Sequence, residues 1–254
     1  MSPSGKAMIL AAGRGERMRP LTNSCPKPLL QVRGKALLDW HVEALERGGV
    51  NALVINTAWL GEQITNHFGL YHEQYGHSLL SISYSHEGAD FGGPLETAGG
   101  IARALPLLDD LFWLLAGDVF APEFEFSPAA VSRFAASGRL AHLWLVPNPA
   151  HNPRGDFGLS ADGLALDLAA DDPAPRYTYS TIGLYRRAFF DALPGLPAGN
   201  PQGVRAALAP LLRAAMDRQQ VSAELYAGGW TDVGTPARLA ELNQNFTNRL
   251  HNAP

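Results

Sequence analysis

The residues best suited to chemistry follow one another in a short stretch near the N-terminus, after an apolar segment. Gly13 and Gly15 lie where a chain can turn sharply and present backbone N–H groups without obstruction from a Cβ atom. Four cations follow in a chain that is acidic overall, and they are Arg14, Arg17, Arg19 and Lys27. Converging N–H groups and clustered cations are suited to holding several phosphates. We therefore predict a nucleoside triphosphate site in the stretch 10–29.

Two better-known phosphate loops do not fit this stretch. The Walker pattern requires four residues between its glycines and then Gly-Lys-Ser/Thr, which the stretch lacks. The dinucleotide pattern Gly-x-Gly-x-x-Gly is half met, but Met18 stands where the third glycine belongs. That glycine lets a helix pack closely on the preceding strand, so its replacement argues against an NAD-dependent oxidoreductase.

Two carboxylates are candidate metal ligands. Asp118 ends the near-continuous apolar run 111–118, which is typical of a central parallel strand that delivers one charge at its carboxyl end. An acid at that place costs free energy unless it is paired or meets a metal, although capping a helix is the alternative. Asp232 precedes a predicted helix start at Thr235 and Pro236, so it either binds metal or supports that helix N-terminus.

The hydrophobic pattern predicts an α/β fold with a Rossmann-like, mixed but mostly parallel central sheet and flanking helices. Predicted strands cover 7–12, 52–56, 79–85, 111–118, 141–147, 177–185 and 221–226. Predicted helices cover 37–49, 60–68, a segment near 101–105, an amphipathic segment 204–218 and a final helix to about 250. A glycine-rich connecting loop is expected over 86–93, and Asn56 is expected to cap a turn.

Composition limits the classes of protein. The 254 residues suffice for one large domain, which we expect to span 1–254. A net charge of −4 argues against a general nucleic-acid binder, and the single cysteine, Cys25, excludes an internal disulfide framework. The apolar runs fall short of the about 18–20 residues that a membrane span needs, so a cytoplasmic protein is expected. The expected partners are small molecules, with no nucleic acid and no membrane; oligomeric state is left open, a monomer being acceptable.

Five motifs together resemble the sugar-1-phosphate nucleotidyltransferases, also called NDP-sugar pyrophosphorylases. They are GERMRPLT (15–22), INTAWLG (55–61), PLETAGGI (94–101), GDF (155–157) and WTDVGT (230–235). The resemblance extends from Lys6 to about Asn245 and is greatest to the branch that transfers a uridylyl group to N-acetylmuramate 1-phosphate. It implies a GT-A-like nucleotidyltransferase fold without a β-helix domain, and Mg²⁺-dependent transfer from UTP that releases pyrophosphate in cell-wall sugar recycling.

The resemblance also implies roles for individual residues. About 6–118 would form a nucleotide-binding half and about 119–250 a sugar-phosphate-binding half. The implied catalytic cations are Arg17 and Lys27. The implied nucleotide-binding residues are Ala11, Ala12, Gly13, Arg14, Gly15, Lys27, Glu87 and Glu96. The implied sugar-phosphate-binding residues are Gly155, Asp156, Thr181 and Gly183. The implied Mg²⁺ ligands are Asp118 and Asp232.

The chain departs from its relatives at two places. Ala116 stands where the muramate branch has an asparagine, and Lys35 is the last lysine, so the lysine that grips the sugar phosphate in many relatives is missing. Arg154 and Arg176 are the candidate substitutes. A carboxylate at Glu87 disfavours CTP but does not choose between uridine and guanosine. A mannose- or heptose-1-phosphate guanylyltransferase and a regulatory subunit of the same fold therefore remain alternatives.

Overall fold

The computed structural model describes residues 5–69, 71–74, 78–191 and 195–251. In chain order its strands are β1 (Lys6–Leu10), β2 (Gln31–Val32), β3 (Lys35–Ala36), β4 (Ala52–Thr57), β5 (Tyr71–Gln74), β6 (Ser78–His86), β7 (Leu111–Ala116), β8 (Val119–Phe120), β9 (Ala141–Val146), β10 (Phe157–Leu159), β11 (Ala165–Leu166), β12 (Arg176–Arg186), β13 (Val221–Leu225) and β14 (Thr231–Asp232). The α-helices are α1 (Leu37–Arg47), α2 (Gly61–Phe68), α3 (Glu87–Phe91), α4 (Glu96–Ala104), α5 (Pro128–Ser137), α6 (Ala188–Asp191), α7 (Ala209–Met216) and α8 (Pro236–His251).

The centre of the sheet is parallel and follows the order β7-β1-β4-β6. From β1 the chain first adds strands on one side, through β4 and β6, and then returns to the other side of β1 with β7. The crevice at the carboxyl ends of β1 and β7 is therefore a switch point, the place where such sheets bind ligands. The N–H of Gly117 donates to the carbonyl of Leu10 at 2.9 Å and joins the two strand ends there.

The antiparallel part of the sheet extends from β7. Strand β12 pairs with β7 through Ile182–Arg186 and with β10 at its other end, and β9 pairs with both β12 and β13. One sheet therefore runs from the parallel centre into the second half of the chain. The predicted mostly parallel α/β sheet with flanking helices is confirmed.

Alternate residues of the central strands enter two different cores, as the two-residue period of a strand requires. Ile9 packs with side chains of α1, α2 and α5 on one face of the sheet, whereas Met8 packs with side chains of α4 and α7 on the other. Because helices cover both faces, these strands read as continuous apolar runs.

Three sequence predictions about elements are wrong in detail. The segment 86–93 contains the short helix α3 and is not simply a loop, and α4 begins at Glu96, five residues before the predicted segment. The amphipathic segment predicted over 204–218 is helical only from Ala209. Pro210 lies in the first turn of α7, where its missing N–H removes no helical hydrogen bond, so it marks the start of that helix and causes no kink.

None of the helices within the described ranges is both long enough and apolar enough to cross a membrane.

Candidate active site

The loop after β1 is shaped by short helical turns. Gly15 has φ +66°, a conformation that glycine adopts without the steric penalty of a Cβ atom. Its carbonyl accepts hydrogen bonds from the N–H of Met18 at 2.9 Å and from Oγ1 of Thr22 at 2.8 Å. Met18 is fully buried in a third cluster, which also contains Val233 and Leu239 near the C-terminal helix. The methionine that breaks the dinucleotide pattern thus anchors the loop to the segment that carries Asp232.

Two of the predicted phosphate-binding cations have different surroundings. The guanidinium of Arg14 lies 3.3 Å from the ring centroid of Trp59 and donates to the carbonyl of Thr22 at 2.9 Å. Trp59 donates to the same carbonyl at 2.9 Å, so this pair supports the outer side of the loop. Arg17 is exposed and forms no ion pair or hydrogen bond with any residue that the structure describes. Arg17 is therefore available to an anion, whereas Arg14 is engaged.

Lys27 and Asp118 form the central ion pair of the site. The ammonium Nζ lies 2.5 Å from Oδ2 of Asp118, and the lysine side chain is 9% exposed whereas that of the aspartate is 39% exposed. Lys27 begins a short helical turn that follows Pro26, and Asp118 follows β7. Two segments that are 91 residues apart in the sequence therefore meet at the switch point.

The backbone on both sides of Asp118 is held firmly. Its carbonyl accepts from the N–H of Val233 at 2.9 Å, and β8 pairs with β14 so that Val119 faces Asp232. The Nε2 atom of buried His41 donates to the carbonyl of Val119 at 2.8 Å. Burial lowers the pKa of His41 to about 4, so this histidine is neutral near pH 7. The β8–β14 pair brings the backbones of the two predicted metal ligands together.

The two carboxylate oxygens of Asp232 differ in their polar contacts. Its Oδ2 atom lies 2.9 Å from Nη1 of Arg238 and 3.3 Å from Nε2 of His151. Its Oδ1 atom is buried and has no hydrogen-bond partner among the described residues. A buried carboxylate oxygen without a partner is costly, and a cation would satisfy it.

The donor set fits magnesium. Asp118 and Asp232 supply carboxylate oxygens, which are the ligands that Mg²⁺ prefers, and it commonly binds through one or two carboxylates together with substrate phosphates. No group of three or more His, Cys, Asp or Glu side chains suited to a metal occurs in the described part of the chain. A metal at this place would therefore depend on the two aspartates and on the substrates for its ligands.

A buried network holds the β1 loop against α4. The Oδ1 atom of Asn56 accepts from the N–H of Ala11 at 2.7 Å, and its Nδ2 atom donates to Oε1 of Glu87 at 2.6 Å. The Oε2 atom of Glu87 accepts from the N–H of Leu95 at 2.7 Å. Glu87 is completely buried, and burial raises the pKa of its carboxyl group against the effect of these hydrogen bonds. The prediction that Asn56 caps a turn is wrong, because its amide bridges Ala11 and Glu87.

This network leaves Glu87 in the wall of the first cavity, with both carboxylate oxygens engaged. The close approach depends on Gly100, since a Cβ atom there would lie 2.4 Å from Oε1 of Glu87. Glu96, the other predicted carboxylate of the nucleotide site, is exposed and begins α4 with φ +60°. Non-glycine residues with positive φ are uncommon and concentrate at functional sites.

Three neighbouring cavities form the site. The first, about 290 Å³, lies over the β1 loop and is lined by Leu10, Ala11, Ala12, Gly13, Lys27, Pro28, Asn56, Glu87, Pro94, Glu96, Thr97, Ala116 and Asp118. The second, about 360 Å³, shares Leu10, Thr97 and Ala116 with the first. The third, about 620 Å³, shares Asp156 and Arg213 with the second. Ala116, where the resemblance predicted an asparagine, therefore lies at the junction of the first two cavities.

The predicted sugar-phosphate residues divide among these cavities. Asp156 and Thr181 line the second cavity, and Gly155 lines the third. Thr181 has φ +65° at a bulge in β12, an unusual conformation for a β-branched residue. Gly183 lines none of the three; a Cβ atom there would lie 3.0 Å from the hydroxyl of Tyr179, so its role is to allow close packing.

Sequence reasoning missed several residues of the site. Tyr179 and Arg213 line the second cavity, and Arg238 contacts Asp232. The motif INTAWLG could have indicated that Trp59 supports the loop. A tryptophan in a polar turn after a strand requires a partner for its N–H. The apolar spacing of α7 indicated a helix but did not show that Arg213 faces a cavity.

Comparison with known proteins agrees with this geometry. The family model described as "Nucleotidyl transferase" matches residues 6–249. The chain is 47% identical to N-acetylmuramate alpha-1-phosphate uridylyltransferase of Neisseria meningitidis serogroup B over 93% of its own length and 96% of that protein. It is 32% identical to the protein of the same name from Caulobacter vibrioides over 92% of its length and 97% of that protein.

A solved structure from Bacillus anthracis, provisionally assigned as a glucose-1-phosphate thymidylyltransferase, has the same fold. The TM-score is 0.76 at 19% identity, over 95% of this chain and 94% of that chain. The expected nucleotidyltransferase fold and the resemblance of the five motifs are both confirmed. This chain belongs to the nucleotidyl transferase family of enzymes.

Proposed function

We propose that the protein transfers a uridylyl group from UTP to N-acetylmuramate 1-phosphate, giving UDP-N-acetylmuramate and pyrophosphate. The observation that carries the proposal is the Lys27–Asp118 pair in the same cavity as the glycine loop. The near-complete alignment with two relatives that bear the name of this activity supports the choice of sugar and base.

The chemistry requires placement and charge neutralisation more than proton transfer. The sugar phosphate is anionic near neutral pH and needs no general base. One of its oxygens forms a bond to the α-phosphorus of UTP, and the bond from that phosphorus to the bridging oxygen of pyrophosphate breaks. Holding two repelling phosphates in line is where an enzyme gains most in such a transfer.

The first cavity supplies groups for this task. Lys27 neutralises the α-phosphate and the incoming phosphate, and the amides of the Ala12–Gly15 loop hold the nucleotide phosphates. Arg17, exposed beside this loop, stabilises the departing pyrophosphate with its planar donor fork. Asn56 and Glu87 act as positioning residues, because their hydrogen bonds fix the backbone of Ala11 and Leu95.

Asp118 and Asp232 would hold Mg²⁺. When bound, the ion supplies positive charge that offsets the negative charge of the reacting phosphates. Arg238 keeps the carboxylate of Asp232 oriented, and Val233 and His41 hold the backbone beside Asp118.

We assign 6–118 to the nucleotide and 119–250 to the sugar phosphate, within one domain spanning 1–254. Because UTP is a cytoplasmic metabolite, we expect the reaction in the cytoplasm, where it would return a cell-wall sugar to its nucleotide-activated form.

Pyrophosphate release tests the proposal. UTP, GTP, dTTP and CTP are each combined with N-acetylmuramate, N-acetylglucosamine, glucose and mannose 1-phosphates in the presence of Mg²⁺. We expect the highest kcat/KM for UTP with N-acetylmuramate 1-phosphate. A preference for GTP with mannose 1-phosphate would instead assign the chain as a guanylyltransferase, and no release with any pair would favour the regulatory subunit.

Direct metal binding tests the aspartate pair. Mn²⁺ replaces Mg²⁺ in electron paramagnetic resonance titrations with UTP present, so that binding is read without turnover. We expect Asp232→Asn to weaken Mn²⁺ binding at least tenfold, since it removes one of two carboxylate ligands. Asp109→Asn is the matched control. Asp109 forms an ion pair with Lys6 beside the amino-terminal ends of β7 and β1, away from the carboxyl ends where Asp118 lies. Equal Mn²⁺ affinity in the two variants would contradict the assignment.

A further inference from the structure

The third cavity contains a group of cations that the proposed reaction does not use. Arg154, Arg176 and Arg213 all line it, together with Gly155 and Asp156. Of the three cavities, Lys27 and Asp118 line only the first, whereas Arg154 and Arg176 line only the third. The second cavity, which Arg213 also lines, therefore lies between them.

The arginines differ in what they contact. Arg154 is exposed and has neither an ion pair nor a hydrogen bond within the described residues. Arg176 donates to the carbonyls of Ala169 and Asp172, the second at 3.2 Å. Main-chain carbonyls orient this guanidinium but do not neutralise its charge. Arg154 and Arg176 therefore keep their full charge at the cavity wall.

The carboxylates of this region are already engaged. Asp167 forms an ion pair with Arg213, whose guanidinium also lies over the ring of Phe157. Asp156 accepts from the N–H of Tyr179 at 2.8 Å through Oδ2 and from Asn152 at 3.1 Å through Oδ1. The residues that line the third cavity therefore include three cations and one carboxylate, Asp156, in a chain whose net charge is −4.

We propose that Arg154, Arg176 and Arg213 form a carboxylate subsite that holds the lactyl carboxylate of N-acetylmuramate during the reaction. The inference rests on the proposed function, with the 1-phosphate in the first cavity, and it places the sugar ring in the adjoining second cavity. N-acetylmuramate differs from N-acetylglucosamine by a lactyl ether that ends in a carboxylate. A planar guanidinium matches a carboxylate through two parallel hydrogen bonds.

The subsite makes these arginines specificity-determining residues. A sugar phosphate without the lactyl group would leave their charges without a ligand and would gain nothing from them. If the arginines instead gripped the sugar phosphate in place of the missing lysine, both sugars would depend on them equally. The two roles therefore predict different effects of the arginines on selectivity between N-acetylmuramate and N-acetylglucosamine.

Binding of the two nucleotide-sugar products separates these roles. Isothermal titration calorimetry measures UDP-N-acetylmuramate and UDP-N-acetylglucosamine, which share the uridine diphosphate, with the full-length wild type and with Arg154→Gln. We expect Arg154→Gln to raise the Kd of UDP-N-acetylmuramate about 10- to 100-fold, the range for losing a hydrogen bond to a charged group. The Kd of UDP-N-acetylglucosamine should change less than twofold.

Two further variants complete the design. Arg218→Gln removes an exposed arginine outside the three cavities and is the matched control, expected to change neither Kd. Arg154→Lys keeps a charge without the planar fork and should recover part of the affinity for UDP-N-acetylmuramate. Arg213→Gln should also lower the selectivity for UDP-N-acetylmuramate over UDP-N-acetylglucosamine. Because this variant also loses the ion pair with Asp167, its thermal unfolding is measured as well.

The outcomes are distinct. Equal weakening of both products, or unchanged selectivity in both Arg154→Gln and Arg213→Gln, would overturn the carboxylate subsite while leaving the proposed function intact. A wild type that binds UDP-N-acetylglucosamine as tightly as UDP-N-acetylmuramate, or binds neither, would instead overturn the proposed function. Selective loss for UDP-N-acetylmuramate supports both.

Discussion

Replacing Lys27 should separate catalysis from stability. Lys27→Met removes the ammonium and keeps an unbranched apolar side chain in a site where the lysine is 9% exposed. Losing one preorganised donor to transition-state charge typically costs about 10²–10³ in kcat, or about 2.7–4 kcal/mol. We expect a loss of that size for pyrophosphate release.

The unequal burial of the Lys27–Asp118 pair sets the expected stability changes. In Lys27→Met the carboxylate left behind is 39% exposed and remains hydrated, so the free energy of unfolding should fall by no more than about 1 kcal/mol. In Asp118→Ala the ammonium left behind is almost fully buried and loses its counter-ion. Removing one partner of a buried pair costs about 3–5 kcal/mol, so this variant should be the less stable one.

Two measurements test this reasoning. Single-turnover pyrophosphate release gives the rate, and urea unfolding of both single variants and of the double variant gives the stabilities. The double variant should be more stable than Asp118→Ala, because it leaves no unpaired ammonium. Turnover of Lys27→Met within tenfold of wild type would refute the catalytic role. Equal destabilisation by the two single substitutions would refute the argument from burial.

Two more predictions concern the packing that supports the site. Gly100→Ala places a Cβ atom 2.4 Å from Oε1 of Glu87, so it should lower the free energy of unfolding by about 1–3 kcal/mol and weaken UTP binding, as measured by urea unfolding and calorimetry. Gly93→Ala is the control, because the atom nearest to its Cβ would be 3.5 Å away. It should change the free energy of unfolding and the affinity for UTP little. Burial lowers the pKa of His41 to about 4, so the unfolded state takes up the proton first and stability falls as pH falls from about 6.5 to 4. His41→Gln should reduce that loss by about 3 kcal/mol in urea unfolding at pH 7 and pH 4, and an unchanged acid dependence would contradict the assignment.

Local patterns predicted the parallel centre of the fold well. The runs 7–10 in β1, 52–55 in β4 and 111–116 in β7 are apolar at every position because helices cover both faces of the sheet, and such runs are recognisable without knowledge of the pairing. The start of α8 after Thr235 was also predictable, since its Oγ1 accepts from the N–H of Arg238 and Pro236 occupies the first position. The start of α7 was predicted five residues too early, because the apolar spacing of the segment 204–218 extends upstream of Pro210. The helix itself begins only at Ala209.

The site was predictable to the extent that its residues follow strand ends. Gly13 and Asp118 each lie in the loop that follows a central strand, and parallel strands bring their carboxyl ends to one edge. Asn56 also follows this rule, but its role depends on Glu87, which lies 31 residues later. No local pattern contains that pairing.

The amino-acid sequence was sufficient for the fold class, because that class depends on short-range periodicity. The phosphate-binding loop and the two metal-binding aspartates stay predictions from motifs within a few residues. The three-dimensional structure was needed to show that Arg14 stacks on Trp59, that the buried Glu87 lines the first cavity, and that Arg154 and Arg213 face one cavity. These relations join segments far apart in the chain. They arise when the sheet and helices pack, since burial and charge pairing depend on neighbours in space.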